Sequence, residues 1–142
     1  MADTEHISLV ELGVSDAPAA FIGFSGRYDG HRPDQAKYYG GAPSSTDPQV
    51  QARYAEANSI SHAPGAAGPA LLFQGDADNP ELVASATAFH DALQNAGKDV
   101  TLTLVPGARS GFDQDASGAL TPAGQQAAQQ VLEWLQARFP PA

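Results

Sequence analysis

The sequence predicts an α/β fold, in which a short parallel sheet of about three strands is flanked by helices. Three runs have the apolar character of strands, at residues 19–24, 70–74 and 100–105, and helix-patterned segments separate them. Strands that alternate with helices in this way form parallel sheets joined by right-handed crossovers. The chain has 142 residues, enough for one hydrophobic core, and we expect a single domain over residues 1–142.

The first elements are predicted to be a short helix, a strand and a long loop. Residues 4–12 favour a helix, because a threonine can cap its start and a glycine follows its end. Residues 19–24 are typical of a buried strand, since the apolar run is continuous rather than alternating. The Gly-, Pro- and Asp-rich residues 25–48 predict mostly loop, and residues 48–57 a short helix.

The second half of the chain carries clearer boundaries. Residues 59–68 predict loop, and the second strand follows at about 70–74. Asn79 can cap a helix whose first residue is a proline, and Gly97 ends it. After the third strand, the last helix begins at Thr121, again with a proline next, and ends before Pro140.

Composition and charge exclude several classes of function. The formal charge of −9, with only 7 Lys and Arg, argues against binding to nucleic acid or to an anionic membrane. There are no cysteines, so disulfides and Cys nucleophiles are excluded. The N-terminus lacks the pattern of a signal peptide, and no apolar run reaches the roughly 20 residues of a membrane span. We therefore expect a cytoplasmic protein with a small-molecule substrate, and the abundant Ala and Gln suggest a bacterial gene.

Two loops follow strands at the same predicted edge of the sheet. The second strand runs into Asp76 and Asp78, and the third runs into the Gly-rich residues 106–112. In open parallel sheets, ligands bind in the crevice outside the carboxyl ends of the strands. The sequence therefore predicts a site between these two loops.

Four segments, in the same order along the chain, resemble the C-terminal half of an α/β-hydrolase of the carboxylesterase and dienelactone-hydrolase type. They are Phe21-Ile-Gly-Phe-Ser-Gly-Arg-Tyr-Asp29, Ser59-Ile-Ser-His62, Gly75-Asp-Ala-Asp78 and Pro106-Gly-Ala-Arg-Ser-Gly-Phe112. The resemblance covers nearly the whole chain and implies a truncated α/β-hydrolase fold. It also implies that Asp78 occupies the position of the triad acid and that Ser110 stands where the family has its histidine.

The chain departs from the family at the two other triad positions. No histidine follows His90, and no Gly-x-Ser-x-Gly nucleophile elbow is present. The first residues resemble the helix that follows an elbow, so we expect the chain to begin where the nucleophile would have been. A serine nucleophile needs a base within hydrogen-bond reach and a third group that orients this base. We therefore predict that the chain is not a self-contained serine esterase.

A metal ion would allow hydrolysis without the missing groups. Asp29, His31 and Asp78 are candidate ligands for a divalent ion, Zn²⁺ or Mn²⁺, whose bound water would attack an ester or phosphoester. Ser110 is a candidate catalytic residue if another chain supplies a base. The alternatives are structural: His31 is a surface histidine, Ser110 is a turn serine, and Asp78 caps the next helix or pairs with Arg109.

A second class of function stays open, in which the chain is a non-catalytic pseudo-hydrolase or an assembly or binding module, whether natural, truncated or designed. The strand at 19–24 would then matter most, because half a hydrolase sheet leaves its apolar edge unpaired. Unpaired apolar edges attract strands from other chains. We therefore expect a homo-oligomer or an association with a complementary half-domain.

Overall fold

The computed structural model describes residues 18–30 and 36–141. Three strands, five α-helices and one 3₁₀ turn follow one another in these ranges. In chain order they are β1 (Phe21–Phe24), α1 (Ala36–Tyr39), α2 (Pro48–Glu56), α3 (Ser59–His62), the 3₁₀ turn (Ala63–Gly65), β2 (Ala70–Gly75), α4 (Pro80–Asn95), β3 (Val100–Val105) and α5 (Pro122–Arg138).

The strands form one parallel sheet in the order β1-β2-β3. Ala70 at the start of β2 is in register with Phe21 of β1 on one side and with Val100 of β3 on the other. All three strands therefore end at the same edge of the sheet. The predicted α/β fold with three parallel strands is confirmed.

The core lies on both faces of β2, and all six residues of this strand are buried. Leu72 belongs to the face that packs against α4, together with Phe89 and Leu93 of that helix. Leu71 and Phe73 belong to the opposite face, where they pack with Trp134 and Ala127 of α5. A strand covered on both faces explains why residues 70–73 are continuously apolar.

The boundaries of α4 agree with the signals in the sequence. The Asn79 side chain accepts a hydrogen bond from the backbone N–H of Glu81 at 3.0 Å, as an N-cap does. At the other end Gly97 has φ +73°, and the N–H of Lys98 donates to the carbonyl of Leu93 at 3.0 Å. This pairing around a left-handed glycine is the Schellman motif. The helix therefore starts directly after the loop that carries Asp78.

Several elements differ from the sequence predictions or lie outside the described residues. The helix predicted at residues 4–12 lies outside the described residues. The described part of residues 25–48 is mostly loop, as predicted, with the four-residue helix α1 as an exception. The loop prediction for 59–68 is wrong at α3, where the Asn58 side chain caps the start of the helix, 3.0 Å from the N–H of Ile60. Burial of β1 is incomplete, since among the described strands it has a neighbour on one side only. Within 18–30 and 36–141, no helix has the length and apolarity to cross a membrane.

Candidate functional site

The loops after β2 and β3 are bound to each other at the carboxyl edge of the sheet. The backbone N–H of Ala77 donates to the carbonyl of Ala108 at 3.0 Å, and the Asp76 carboxylate accepts from the N–H of Gly107 at 2.6 Å. Gly75 makes this approach possible, because a Cβ at this position would collide with the Ala108 backbone. Asp76 therefore joins the two loops. The next carboxylate along the chain, that of Asp78, faces the loop after β3.

Asp78 lies at the centre of the candidate site, and both its oxygens accept hydrogen bonds. Oδ1 accepts from the backbone N–H of Asn79 at 2.8 Å. Oδ2 accepts from Nε2 of Gln74 at 3.0 Å and from the hydroxyl of Ser110. The hydrogen bond from Ser110 is the main reason that the pKa of Asp78 lies below its ordinary value, and Asn79 and Gln74 add to it. The carboxylate is therefore ionised at neutral pH.

Ser110 is placed against the acid, and no base among the described residues activates it. A carboxylate with a lowered pKa is a poor acceptor for the proton of a serine hydroxyl. The two described histidines bond elsewhere, His62 to the carbonyl of Glu56 at 3.1 Å and His90 to Asp91 at 2.9 Å. The alternative pairing of Arg109 with Asp78 is not among the ion pairs of the described residues, where the neighbouring serine takes that place. The described residues thus contain an acid with a hydroxyl partner.

Asp29 follows β1 at the same edge, and α4 holds its backbone. The hydroxyl of Ser85 on α4 accepts from the N–H groups of Tyr28 at 2.8 Å and of Asp29 at 3.1 Å. The Asp29 carboxylate lies 3.4 Å from Nε of Arg27, and this arginine also pairs with Glu81 at 2.5 Å. A metal ion at Asp29 would therefore have a guanidinium as a close neighbour.

The predicted metal ligands are only partly covered by the structure. Asp29 and Asp78 follow adjacent strands, while His31 lies outside the described residues. In the described part of the chain, no three His, Asp or Glu side chains are grouped so that they could hold a metal ion. The set of Asp29, His31 and Asp78 therefore stays a prediction.

Sequence reasoning missed two polar side chains at this edge. Gln74 is fully buried near the end of β2 and bonds to Asp78. Ser25, directly after β1, has φ +49°, and its buried hydroxyl has no hydrogen-bond partner among the described residues. A glutamine inside an apolar strand, four residues before an acid, was the available signal for the first. A serine between a strand and a glycine was the weaker signal for the second.

The parallel sheet, its flanking helices and the acid-bearing loop define a fragment of an α/β-hydrolase. The sequence model of the peptidase S9 group, the prolyl oligopeptidase family, matches residues 27–139. The chain belongs to this family. No curated protein matches it.

Solved structures agree with this fold. Esterase 2 of Thermogutta terrifontis superimposes with a TM-score of 0.69 at 21% identity, over 96% of this chain and 47% of that chain. The acylaminoacyl peptidase of Pyrococcus horikoshii gives a TM-score of 0.65 at 16% identity, over 86% of this chain and 20% of that one. The chain thus spans about half the length of the esterase, as the predicted resemblance to part of an α/β-hydrolase requires.

Proposed function

We propose that the chain is a hydrolase-derived module whose site lies at the carboxyl edge of the sheet, around Asp78 and Ser110, and accepts small ester substrates. The hydrogen bond between these two side chains carries the proposal, because it joins the two loops at the place where parallel sheets bind ligands. The esterase among the similar solved structures supports esters as the substrate class. Phosphoesters are the second substrate class to test.

In this proposal the chain does not act as a serine esterase by itself. Asp78 is an ionised carboxylate that can orient a cationic base, but its low pKa makes it unable to activate Ser110. Turnover therefore requires a nucleophile and a base from outside the described residues, or a metal-bound water. A serine-directed phosphonate is expected to leave the isolated chain unlabelled, as intact-mass spectrometry would show, whereas stoichiometric labelling would contradict this part of the proposal.

The metal-assisted version is the first candidate mechanism. It is supported by two carboxylates beside the start of α4, since Asp78 precedes the cap of this helix and Ser85 of the helix holds the backbone of Asp29. With His31 they would bind Zn²⁺ or Mn²⁺ and lower the pKa of a bound water to about 7. Ester and phosphoester hydrolysis should then disappear with chelator and return with either metal. Hydrolysis that chelator leaves unchanged would exclude this mechanism.

A non-catalytic role is the second candidate, and the Ser110 hydroxyl favours it. This hydroxyl occupies Oδ2 of Asp78, the oxygen that faces the β3 loop, and so satisfies the acid within the chain. Decay of catalysis would leave such a pair. Absence of turnover on a broad ester and phosphoester panel, with and without added Zn²⁺ or Mn²⁺, would support this role, while metal-dependent turnover would contradict it.

The open edge of β1 is proposed as the surface through which the chain associates with a second copy or with a complementary half-domain. Phe21 and Phe24 are 44% and 41% exposed, on opposite faces of the strand. A cavity of about 600 Å³ beside the strand is lined by Phe21, Tyr28 and Phe89. The buried hydroxyl of Ser25, which has no hydrogen-bond partner among the described residues, lies at the end of the same strand. A further strand at this edge would cover the apolar side chains and bond to the backbone groups that no described strand pairs.

The proposal also includes a cytoplasmic location in a bacterial cell, as the composition led us to expect. Fractionation of cells that express the chain, followed by detection with an antibody, tests this location. Recovery in a membrane or secreted fraction would contradict it.

A further inference from the structure

We propose that Gln74 is a positioning residue for Asp78, because its amide holds the carboxylate from inside the sheet so that Oδ2 faces position 110. The inference rests on the proposed function in one respect, that Asp78 is the functional acid of the site. Gln74 itself belongs to strand β2 and lies behind the two loops, so its role is additional to that function. Neither the motif resemblance nor the loop positions predicted this role.

The orientation of the Gln74 amide is fixed by its neighbours. Nε2 donates to Oδ2 of Asp78 at 3.0 Å and to the carbonyl of Gly75 at 3.3 Å. Both partners are pure acceptors, so a flipped amide would place Oε1 against two oxygens. The nitrogen therefore points to Asp78.

The amide is a poor choice for stability alone. Gln74 is 0% exposed, and its Oε1 accepts no hydrogen bond from the described residues. A buried carbonyl without a donor costs free energy, which an apolar side chain of the same length would avoid. The bond from Nε2 to Asp78 is thus what the glutamine provides and a methionine would not.

Two donors, one on the strand and one in the loop, bond to different oxygens of the Asp78 carboxylate. Asn79 holds Oδ1 through its backbone N–H at 2.8 Å, and Gln74 holds Oδ2 at 3.0 Å. Two fixed donors on opposite oxygens restrict rotation of the carboxylate about its last torsion. This leaves the second lone pair of Oδ2 directed at the Ser110 hydroxyl. Without Gln74, the carboxylate can turn away from position 110.

The test compares Gln74→Met with Leu72→Met by carbon-13 NMR titration of the Asp78 carboxyl. Leu72 is fully buried two residues earlier on β2, so its replacement disturbs packing without removing a donor. We expect Gln74→Met to raise the pKa of Asp78, since a donor to the charged form is lost. Leu72→Met should leave that pKa unchanged. Equal Asp78 pKa values in the wild type and Gln74→Met would overturn the proposal.

A structural role for Gln74 gives a different result. If the amide only stabilises the fold, Gln74→Met lowers the midpoint of urea unfolding and leaves the Asp78 pKa where it was. If Gln74 positions Asp78, the pKa rises, and the direction in which the midpoint moves does not decide between the two roles. In the unmodified chain, the side-chain amide resonances of Gln74 should also titrate with Asp78 and cease to do so in Asp78→Asn. That measurement needs no variant of Gln74 and decides the question if Gln74→Met does not fold.

The outcome is separate from that of the proposed function. Absence of ester turnover with a raised Asp78 pKa in Gln74→Met would contradict the enzyme proposal and retain the positioning role. Turnover with an unchanged pKa would retain the enzyme and remove Gln74 from its site.

Discussion

Ser110 and Asp78 face each other across the two loops. A histidine introduced at position 110 would test this geometry through the pKa of its ring. In Ser110→His, the introduced ring would lie beside an ionised carboxylate, which favours its protonated form. We expect its pKa to lie about one unit above the ordinary value near 6.5. Proton NMR titration of the ring measures this, with Ser61→His on α3 as the control. Equal ring pKa values in the two variants would show that position 110 does not face the acid.

The lowered pKa of Asp78 predicts a dependence of stability on pH. Because the folded-state pKa lies below the ordinary value of about 3.9, Asp78 stabilises the fold above that value and loses this contribution as the pH falls through the folded-state pKa. Ser110→Ala removes the largest cause of the shift. The difference in unfolding free energy between wild type and Ser110→Ala should therefore be constant above about pH 5 and shrink below about pH 4.

Urea unfolding at a series of pH values measures this difference. Ser61→Ala is the matched control, since the Ser61 hydroxyl donates to the carbonyl of Asn58 and to no carboxylate. Its effect on stability should be the same at every pH. A Ser110→Ala difference that persists unchanged to pH 2 would show that the hydroxyl does not act through Asp78.

The sequence located the acid and its serine neighbour but not the contacts that orient them. Position at the end of a strand is enough to place Asp78 and Ser110 at one edge of a parallel sheet. The choice between Arg109 and Ser110 as partner depends on how the turn directs adjacent side chains, and Gly111 with φ +77° sets that turn. The hydrogen bond from Gln74 joins a strand to a loop, so the periodic patterns that predict helices and strands do not predict it.

At the scale of elements, long periodic segments were predictable and short ones were not. Helix α4 and strand β2 have capping signals or apolar runs of sufficient length, and both were found. Helices α1 and α3 have four residues each, which is too short for a period of 3.6 to show. The apolar run 19–24 predicts a buried strand, but Phe21 and Phe24 of β1 stay partly exposed. The degree of burial is hard to predict because an apolar run looks the same in a central strand and at an edge.

Ser85 connects two elements and offers a direct test of how α4 holds the loop after β1. Its buried hydroxyl accepts from the N–H groups of Tyr28 and Asp29. Ser85→Ala would remove the acceptor that these two donors share, and we expect a loss of roughly 1–3 kcal/mol in the free energy of unfolding. Thr87→Ala on the same helix is the control, because the exposed Thr87 hydroxyl donates to the carbonyl of Val83 within the helix. Equal losses in the two variants, measured by urea unfolding, would contradict the assignment.

At the scale of the whole molecule, the described residues leave both edges of the three-stranded sheet unpaired, and the β1 edge carries two phenylalanines, Phe21 and Phe24. The N–H groups of Phe21 and Ser25 bond to the carbonyls of Pro69 and Phe73, so by alternation the backbone groups of Ile22 and Phe24 point to the open side. Phe24 stacks on Phe73 with ring centroids 4.6 Å apart and is still 41% exposed. A strand docked at this edge would cover that ring.

The apolar β1 edge predicts self-association, and a charged residue in place of Phe24 should prevent it. Light scattering of the wild type at tens of micromolar should give a mass above that of the monomer, because two apolar edges can pair. Phe24→Lys should be monomeric, since pairing would then bring a lysine into the interface. Leu132→Lys on α5 is the control, because Leu132 is 55% exposed on a helix that does not form the β1 edge, and its variant should associate as the wild type does. A sharp monomer mass for all three chains would exclude association with a second copy and leave the complementary half-domain as the partner. Slower amide exchange at Ile22 and Phe24 after mixing with that half-domain would then show that it binds at this edge.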